Sequence, residues 1–430
     1  MSEQPLRIAI VGGGIGGLTL AVALSKSPKQ LVVDIYEAKA TFNEIGAGVG
    51  ILPRVWEALR SLGLEEQLRE RIGTYPGGGK FQYRKSDQKE GFVFGASVAE
   101  AQTIHRADLH NVLIQNTPAH FGKHFSKRLV SFTSANSGEV ILNFEDGSTA
   151  VCDLLVGADG VRSPVRQQLY QYLASNAENE GKPQVEVDLL RRKGLAYWTG
   201  NTVYRSLIPR EDLVKINPEH PSLFTATQFM LTYPISQGKL LNVVVAAFQH
   251  HKMGTEQTGP WVAEADNQEL VDHFASWDSE ARLIAQVNIE LTFLEAHSME
   301  PFQASGAGQA IEDALVLTSL LSLEETTRET LALALKVYDE IRRPIAQEVQ
   351  RRSREAGRVV SLNGESLADT PAEASGMGLI PLERLKALDR ELNEISRWTW
   401  TSDALRDQVK AVEIFQSYRG GSEAGADQTL

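Results

Sequence analysis

The 430-residue sequence predicts an α/β protein with a mostly antiparallel second domain and helices towards its C-terminal end. Three observations carry this expectation. A short apolar strand runs through a glycine turn into a helix over Leu6 to Leu18. Strand-like segments crowd together from Leu195 to Phe248 with few helices between them. From Leu331 onward the apolar spacing is that of amphipathic helices.

The first stretch is the most informative. Gly12, Gly14 and Gly17 stand at the three spaced positions of G-x-G-x-x-G. The first glycine permits a tight turn, the second lets backbone approach a diphosphate, and the third lets the helix lie close to the strand. The helix N-terminus adds unpaired N–H groups and a partial positive charge. A second strand, Leu31 to Tyr36, ends at Glu37, where an acid can hydrogen-bond an adenosine ribose.

Ile45 to Ile51 is too glycine-rich for a packed helix and reads as strand or loop passing close to something flat or bulky. Pro53 to Arg71 is helical with a break near Gly63. Phe81 to Arg84 and Gly91 to Phe94 read as a strand pair. Arg106 to Gln115 carries Leu109, Val112 and Leu113 on one face of a helix, and Arg106 alone reads as a solvated surface arginine. The strand Ala150 to Val156 runs into Gly157-Ala158-Asp159-Gly160, a second strand end bearing an acid. Ser163-Pro164 then signals a helix start. Ala174 to Pro183 is polar and reads as a surface loop or domain boundary. Trp261 to Trp277 reads as helical through Val262, Leu270, Val271 and Phe274. The Gly/Ala-rich run before Ile311 leads into an apolar helix bearing Glu312 and Asp313. Leu331 to Val360 reads as a long helix interrupted or restarted at Pro344.

Composition narrows the function. The formal net charge of -12 disfavours sequence-independent nucleic-acid binding, and the 42% hydrophobic content is that of a soluble globular chain. Cys152 is the single cysteine, so no internal disulfide forms. Met1 to Pro5 lacks signal-peptide architecture, the longest apolar runs are too short to span a bilayer, and the polar C-terminal residues carry no anchor. A cytoplasmic protein without nucleic-acid or membrane partners is expected.

In this order, Gly12 to Gly17 with Glu37, Arg106, Gly157 to Gly160 and Pro301 to Asp313 resemble the single-component FAD-dependent aromatic hydroxylases, most of all their fungal salicylate-hydroxylase-like branch. The resemblance implies a Rossmann-like FAD-binding fold interleaved with a mostly antiparallel-sheet substrate domain, plus C-terminal helices. The corresponding boundaries are 1–180 for the first part of the FAD-binding domain and 181–290 for a substrate domain shortened at its end. They continue with 291–360 for the second FAD-binding part and long helix, and 361–430 for the C-terminal helices and polar tail. It also implies that Gly12, Gly14 and Gly17 cradle the FAD diphosphate and that Glu37 holds the ribose. Arg106 would lie near the ribityl and phosphate portion, which reverses the surface reading. Asp159 would serve FAD and the nicotinamide cofactor, and Pro301, Gly306 and Gly308 would line the isoalloxazine ring.

The implied reaction is reduction of FAD by NADH or NADPH, then reaction with O2, with a flavin hydroperoxide passing one oxygen to a phenolic or salicylate-like ring. The partners implied are a small aromatic substrate and O2; a homodimer is one assembly left open. Tyr204-Arg205 and Tyr233-Pro234 match pocket-facing strand positions. Arg205 and Tyr233 are the catalytic candidates, since a cation and a hydrogen bond beside a phenolate stabilise its charge. The Asp159 and Pro301 blocks argue against a simple nicotinamide dehydrogenase.

Four features depart from the family. A Gly-Asp-Ala-Ala-His run normally precedes the proline, but Phe293 and Leu294 fall where Gly and Asp belong, with Glu295 a stand-in under a one-residue shift. The chain between Trp277 and His297 is also short. A deletion or wrongly joined transcript is expected there, removing a substrate-domain strand and the strand that delivers the Asp. A weakly FAD-binding or inactive isoform is therefore the alternative function. Arg54 and Phe229 replace residues that are often asparagine and histidine in this family.

Overall fold

The computed structural model describes residues 4–426 apart from 44–47, 73–79, 136–137, 219–225, 229, 249–253, 256–261, 266–267, 269–270, 273, 288–290, 296–298 and 362–379. The chain begins with β1 (Leu6–Val11), α1 (Ile15–Leu24) and β2 (Leu31–Tyr36). β3 (Gly48–Ile51), α2 (Pro53–Ser61), α3 (Glu65–Ile72), β4 (Phe81–Lys85), β5 (Phe92–Ala96), β6 (Gln102–His105) and α4 (Arg106–Asn116) follow. Next come β7 (Gly122–His124), β8 (Leu129–Ser134), β9 (Val140–Phe144), β10 (Thr149–Cys152) and β11 (Leu154–Gly157), then a hairpin of α5 (Pro164–Asn179) and α6 (Gln184–Gly194). β12 (Asn201–Pro209), α7 (Arg210–Ile216), β13 (Ala226–Gln228), β14 (Met230–Ile235), β15 (Leu240–Phe248), β16 (Val262–Ala265), α8 (Ser279–Gln286) and β17 (Leu291–Glu295) continue the chain. It closes with α9 (Gly306–Leu321), α10 (Leu331–Val360), α11 (Leu382–Ser396), α12 (Trp398–Thr401) and α13 (Ala404–Ala426).

A four-stranded parallel sheet runs in the order β11-β1-β2-β7. The helix α1 is apolar nearly all round, so it is buried between this sheet and α9. Ile8, Ile10, Leu18 and Val33 share one core with Leu109 and Leu113 of α4 and Ile311 and Leu315 of α9. Among the described residues, no helix is long and apolar enough to cross a membrane.

The second sheet has eight strands in the order β16-β17-β12-β15-β14-β13-β4-β5, so β4 and β5 from early in the chain complete it. Strand alternation divides its faces. Ile208, Met230, Val243 and Val245 pack against Ala281 and Ile284 of α8. Arg205, Tyr233, Asn242 and Val244 alternate to the opposite face, with Arg205 across from Val244 and Tyr233 across from Asn242. Tyr204 packs with the first set, so the expected pocket-facing pair Tyr204-Arg205 is split between faces.

Several local expectations are corrected. Ala174 to Pro183 is not a loop, because α5 runs to Asn179 and buries Ala174 and Ala177 against Val187 of α6. Small side chains make that helix–helix seam, and they read as weakly apolar in sequence. Val262 to Ala265 is a strand rather than helix, since its backbone pairs with β17. Pro344 does not interrupt α10; Val337 and Ile341 before it and Val349 and Ser353 after it are all buried, and packing carries the helix through. The substrate sheet is not broken before Pro301 either, because Leu291–Glu295 pairs with β12 on one side and β16 on the other. His250-His251 and Phe229 lie outside the described residues.

Candidate active site

The glycine turn has the geometry its sequence requires. Gly12 sits at φ +110°, and a Cβ there would meet the Ala158 carbonyl oxygen at 2.3 Å. A Cβ on Gly17 would come within 2.0 Å of the Gly12 carbonyl oxygen. The turn is thus closed against both α1 and the Gly157–Gly160 segment. Gly14 caps α1 without a side-chain hydrogen bond, leaving the first N–H groups of the helix to a ligand. Glu37 lies beside the turn and accepts from the Gly13 N–H at 2.8 Å through Oε2 and from the Lys39 N–H at 2.8 Å through Oε1.

Asp159 adjoins Gly12. Its Oδ2 accepts from the Val165 N–H at 3.2 Å, while Oδ1 is buried without a partner. A buried, unused carboxylate oxygen beside a diphosphate cradle suits a hydroxyl of the cofactor. Sequence reasoning missed His110, which is buried and donates from Nε2 to the Gly13 carbonyl at 2.7 Å. It holds the turn from α4; its only sequence signal was a polar residue on an otherwise apolar helix face.

At the other end, Arg106 begins α4 and lies close enough to Arg205 for their like charges to interact. Burial pushes the Arg205 guanidinium below its usual range; Tyr233 opposes this and Arg106 reinforces it. The Arg205 Nε is buried with no partner. Burial pushes the Tyr233 phenol up to about 12, with Arg205 pulling it back, so at neutral pH the tyrosine is protonated. Gly48 passes directly over this tyrosine: a Cβ on it would meet the ring at 2.4 Å. Its N–H donates to the Asn242 Oδ1 at 2.7 Å, and the buried Asn242 Nδ2 is left without a partner.

Beside this cluster lies a chamber with a cavity volume of about 140 Å³ that opens to solvent. Leu231, Val244 and Ala246 of the eight-stranded sheet form one wall. Pro301, Phe302, Gln303 and Ala304 form another, and Phe81 and Tyr83 a third. Val244 is the residue directly across from Arg205, which places the arginine at the edge of the chamber. Pro301 lines the chamber as its motif implied. Gly306 opens α9 with nothing near its missing Cβ, so open space lies beside it. Gly308 has a different local reason: a Cβ there would meet Val55 of α2 at 2.6 Å, so its small size serves helix packing.

The C-terminal helices close the chamber through Asn393, Ser396, Thr399 and Trp400. Arg54 holds them. It donates to Glu312 from Nε at 2.8 Å and from Nη2 at 3.2 Å, pairs with Asp407, and donates from Nη1 to the Ser402 Oγ at 2.8 Å. Its guanidinium lies over the Trp398 ring, 5.9 Å from the centroid. Arg342 of α10 joins the network, donating to Glu312 at 3.0 Å, Asp313 at 2.6 Å and Gln309 at 2.8 Å. Arg54 therefore works as a strut between α2, α9, α12 and α13, behind the chamber wall.

Glu295 does not take the place of the expected aspartate. It is the last residue of β17, across from Thr202 of the eight-stranded sheet, and not at the end of a parallel strand. Among the described residues, no strand pairs with the far edge of β11. Among the other residues, the glycine cradle, the Asp159 orphan oxygen and the open space at Gly306 fit FAD.

Comparison with known proteins agrees with this geometry. Residues 6–353 match the FAD binding domain family. The FAD-dependent monooxygenase str9 of Strobilurus tenacellus is 29% identical over 96% of this chain and 98% of its own length. That alignment spans 475 positions, more than the chain contains, so str9 holds residues with no counterpart here. A salicylate hydroxylase of Pseudomonas putida is 31% identical over 83% of this chain and 86% of its own. The 6-methylsalicylate 1-monooxygenase atA of Aspergillus terreus is 31% identical over 95% of this chain and 92% of its own. A solved salicylate hydroxylase substrate complex superposes with a TM-score of 0.75 at 27% identity, covering 95% of this chain and 98% of that one. The glycine cradle, the interleaved sheets and these relatives together establish that the chain belongs to the family of FAD-dependent monooxygenases that includes the salicylate hydroxylases.

Proposed function

We propose that the chain hydroxylates a small phenolic or salicylate-like ring, using NADH or NADPH and O2, as a soluble cytoplasmic enzyme. The observation that carries this reading is the half-buried Arg205, with an unpartnered Nε, set among Tyr233 and Arg106 at the edge of an aromatic-sized chamber. FAD, when bound, supplies the redox chemistry: it takes two electrons from the nicotinamide and passes them to O2.

The protein's contribution is position and electrostatics. Gly12, Gly14 and Gly17 hold the diphosphate at the start of α1, Glu37 the ribose, and Asp159 a hydroxyl of the cofactor. Pro301 and Gly306 border the space for the flavin ring. Arg106 lies towards its ribityl and phosphate portion. Arg205 stabilises negative charge on the phenol oxygen of the substrate, which makes the ring carbon beside it electron-rich. Its unpartnered Nε is the free donor this requires. Tyr233, with its phenol held protonated, supplies a hydrogen bond to the same oxygen. The apolar walls keep water from the reacting ring.

The test is purification with FAD, followed by NAD(P)H oxidation in the presence of salicylate, 6-methylsalicylate and simple phenols, with products identified by mass spectrometry. A yellow protein with substrate-stimulated oxidation and a product heavier by one oxygen supports the reading. Arg205→Met is expected to lower kcat/KM about a hundredfold, the size of one lost charge-stabilising donor. A colourless protein that FAD does not reconstitute overturns the reading, as does an Arg205→Met protein with unchanged turnover.

A further inference from the structure

We infer that the turn Trp398–Thr401 is a substrate-recognition wall, and that the Thr399 hydroxyl binds an uncharged oxygen substituent of the aromatic substrate. The inference rests on the hydroxylase reading above and deepens it.

Residues 399–402, the end of the turn and the residue after it, carry three hydroxyls, and they behave differently. Helical Ser and Thr ordinarily donate to the carbonyl four residues earlier. The Thr401 Oγ1 does so to Arg397 at 3.0 Å, and the Ser402 Oγ does so to Trp398 at 2.5 Å. Thr399 should use the Ile395 carbonyl. That oxygen already accepts from the Gln303 Nε2 at 3.2 Å and from the Arg352 Nη1 at 3.0 Å. A carbonyl has two lone pairs, so none is left for Thr399. Thr399 is only 2% exposed, lines the chamber, and its Oγ1 has no partner. A buried, unsatisfied hydroxyl is uncommon in a native structure. Here two neighbours capture its usual acceptor and leave it available.

Ser97, Gln303 and Asn393, also on the chamber wall, are engaged. The Ser97 Oγ donates to the Ala99 carbonyl at 2.9 Å, and the Gln303 Oε1 accepts from the Trp398 Nε1 at 3.0 Å. Asn393 uses both ends of its amide on Ala96 and Val98 of the strand side. No Asp, Glu, Lys, Arg or His is among the described residues lining the chamber. A carboxylate entering this end would lose its water with no cation to replace it. A ketone, ester or hydroxyl would lose little and gain the Thr399 hydrogen bond. The turn itself, with Asn393 and Ser396, lies beyond residue 353, outside the span matched to the FAD binding domain family, while Gln303 and Arg352 lie within it.

The test measures binding to the full FAD-loaded chain by equilibrium dialysis. The probes are 2′-hydroxyacetophenone and 2-ethylphenol, which place a ketone and an alkyl group at the same ring position. The parent is expected to bind the ketone about three- to tenfold tighter than the alkyl probe, the range of one neutral hydrogen bond. Thr399→Val, which keeps shape and removes the hydroxyl, should abolish the ketone preference and leave 2-ethylphenol binding unchanged; Thr399→Ser should retain the preference. Unchanged 2-ethylphenol binding shows that the variant is folded. Equal loss for both probes, no loss for either, or no binding to the parent overturns the inference. NAD(P)H oxidation is followed with the same probes: selective binding without oxidation overturns the hydroxylase reading and leaves the recognition role intact.

Discussion

Replacing Arg54 with methionine should destabilise the protein by about 3 kcal/mol. The arginine side chain is 4% exposed and that of Glu312 is 1% exposed, so this is a buried ion pair. Removing one partner of such a pair costs about 3–5 kcal/mol, because the other charge stays buried. The low end applies here. Glu312 keeps the Arg342 Nη1 at 3.0 Å and the Gln309 Nε2 at 3.3 Å, so it is weakened rather than orphaned. Asp407 loses more, since its remaining cation, Arg342, is 3.9 Å away. Methionine fills much of the volume, which limits any cavity. With an unfolding entropy of about 2.1 cal/mol/K per residue, a cooperative unit of this size loses roughly 3 °C in Tm. Scanning calorimetry of the FAD-loaded protein reads this directly. Arg54→Met with Asp407→Asn should recover about half the loss, because the least compensated charge is then gone. A single variant melting within about 0.5 °C of the parent would refute the account of Arg54 as a buried strut.

Gly17→Ala places a Cβ 2.0 Å from the Gly12 carbonyl oxygen and must open the turn; FAD affinity, read by flavin fluorescence, should fall at least tenfold, and an unchanged Kd refutes the cradle. Asp153, held by Arg7 at 2.7 Å and Arg328 at 2.8 Å, has a carboxyl well below the usual range despite the opposing effect of burial. A depressed folded pKa means that its stabilisation is full above the unfolded value, about 3.9, and fades as pH falls. Urea midpoints of Asp153→Asn should therefore lie below those of the parent at pH 7 and converge with them in strong acid; a gap that persists there refutes the linkage.

The parts legible in sequence are those where local physics decides. The strand, turn and helix at Leu6 to Leu24 were readable because apolar period, glycine spacing and the acid at Glu37 agree over one short segment. The break at Gly63 was readable for the same reason: it sits at φ +73° between α2 and α3. Misreadings came where distant chain decides. Val262 to Ala265 is a strand only because β17 lies beside it. The α5–α6 seam is built on Ala174 and Ala177, whose weak hydrophobicity hides the pattern. The proximity of Arg106 to Arg205 spans nearly a hundred residues and has no local signature. Thr399 was invisible because its significance depends on which donors occupy a carbonyl four residues away.

The backing of the glycine turn has a consequence for how the molecule is made. Gly16 of α1 lies against Ala310 of α9, where a Cβ would sit 3.2 Å from the alanine methyl. The cradle at the very start of the chain is thus braced by a helix synthesised almost three hundred residues later. The eight-stranded sheet has a delay about half as long, since β4 waits for β13 to pair with it. Such distant pairings fold slowly. On the ribosome the nascent N-terminal half waits with its cradle unbraced and its sheet open-edged, a natural substrate for chaperones. A cofactor that binds the braced cradle stabilises the finished molecule and not its unbraced precursor.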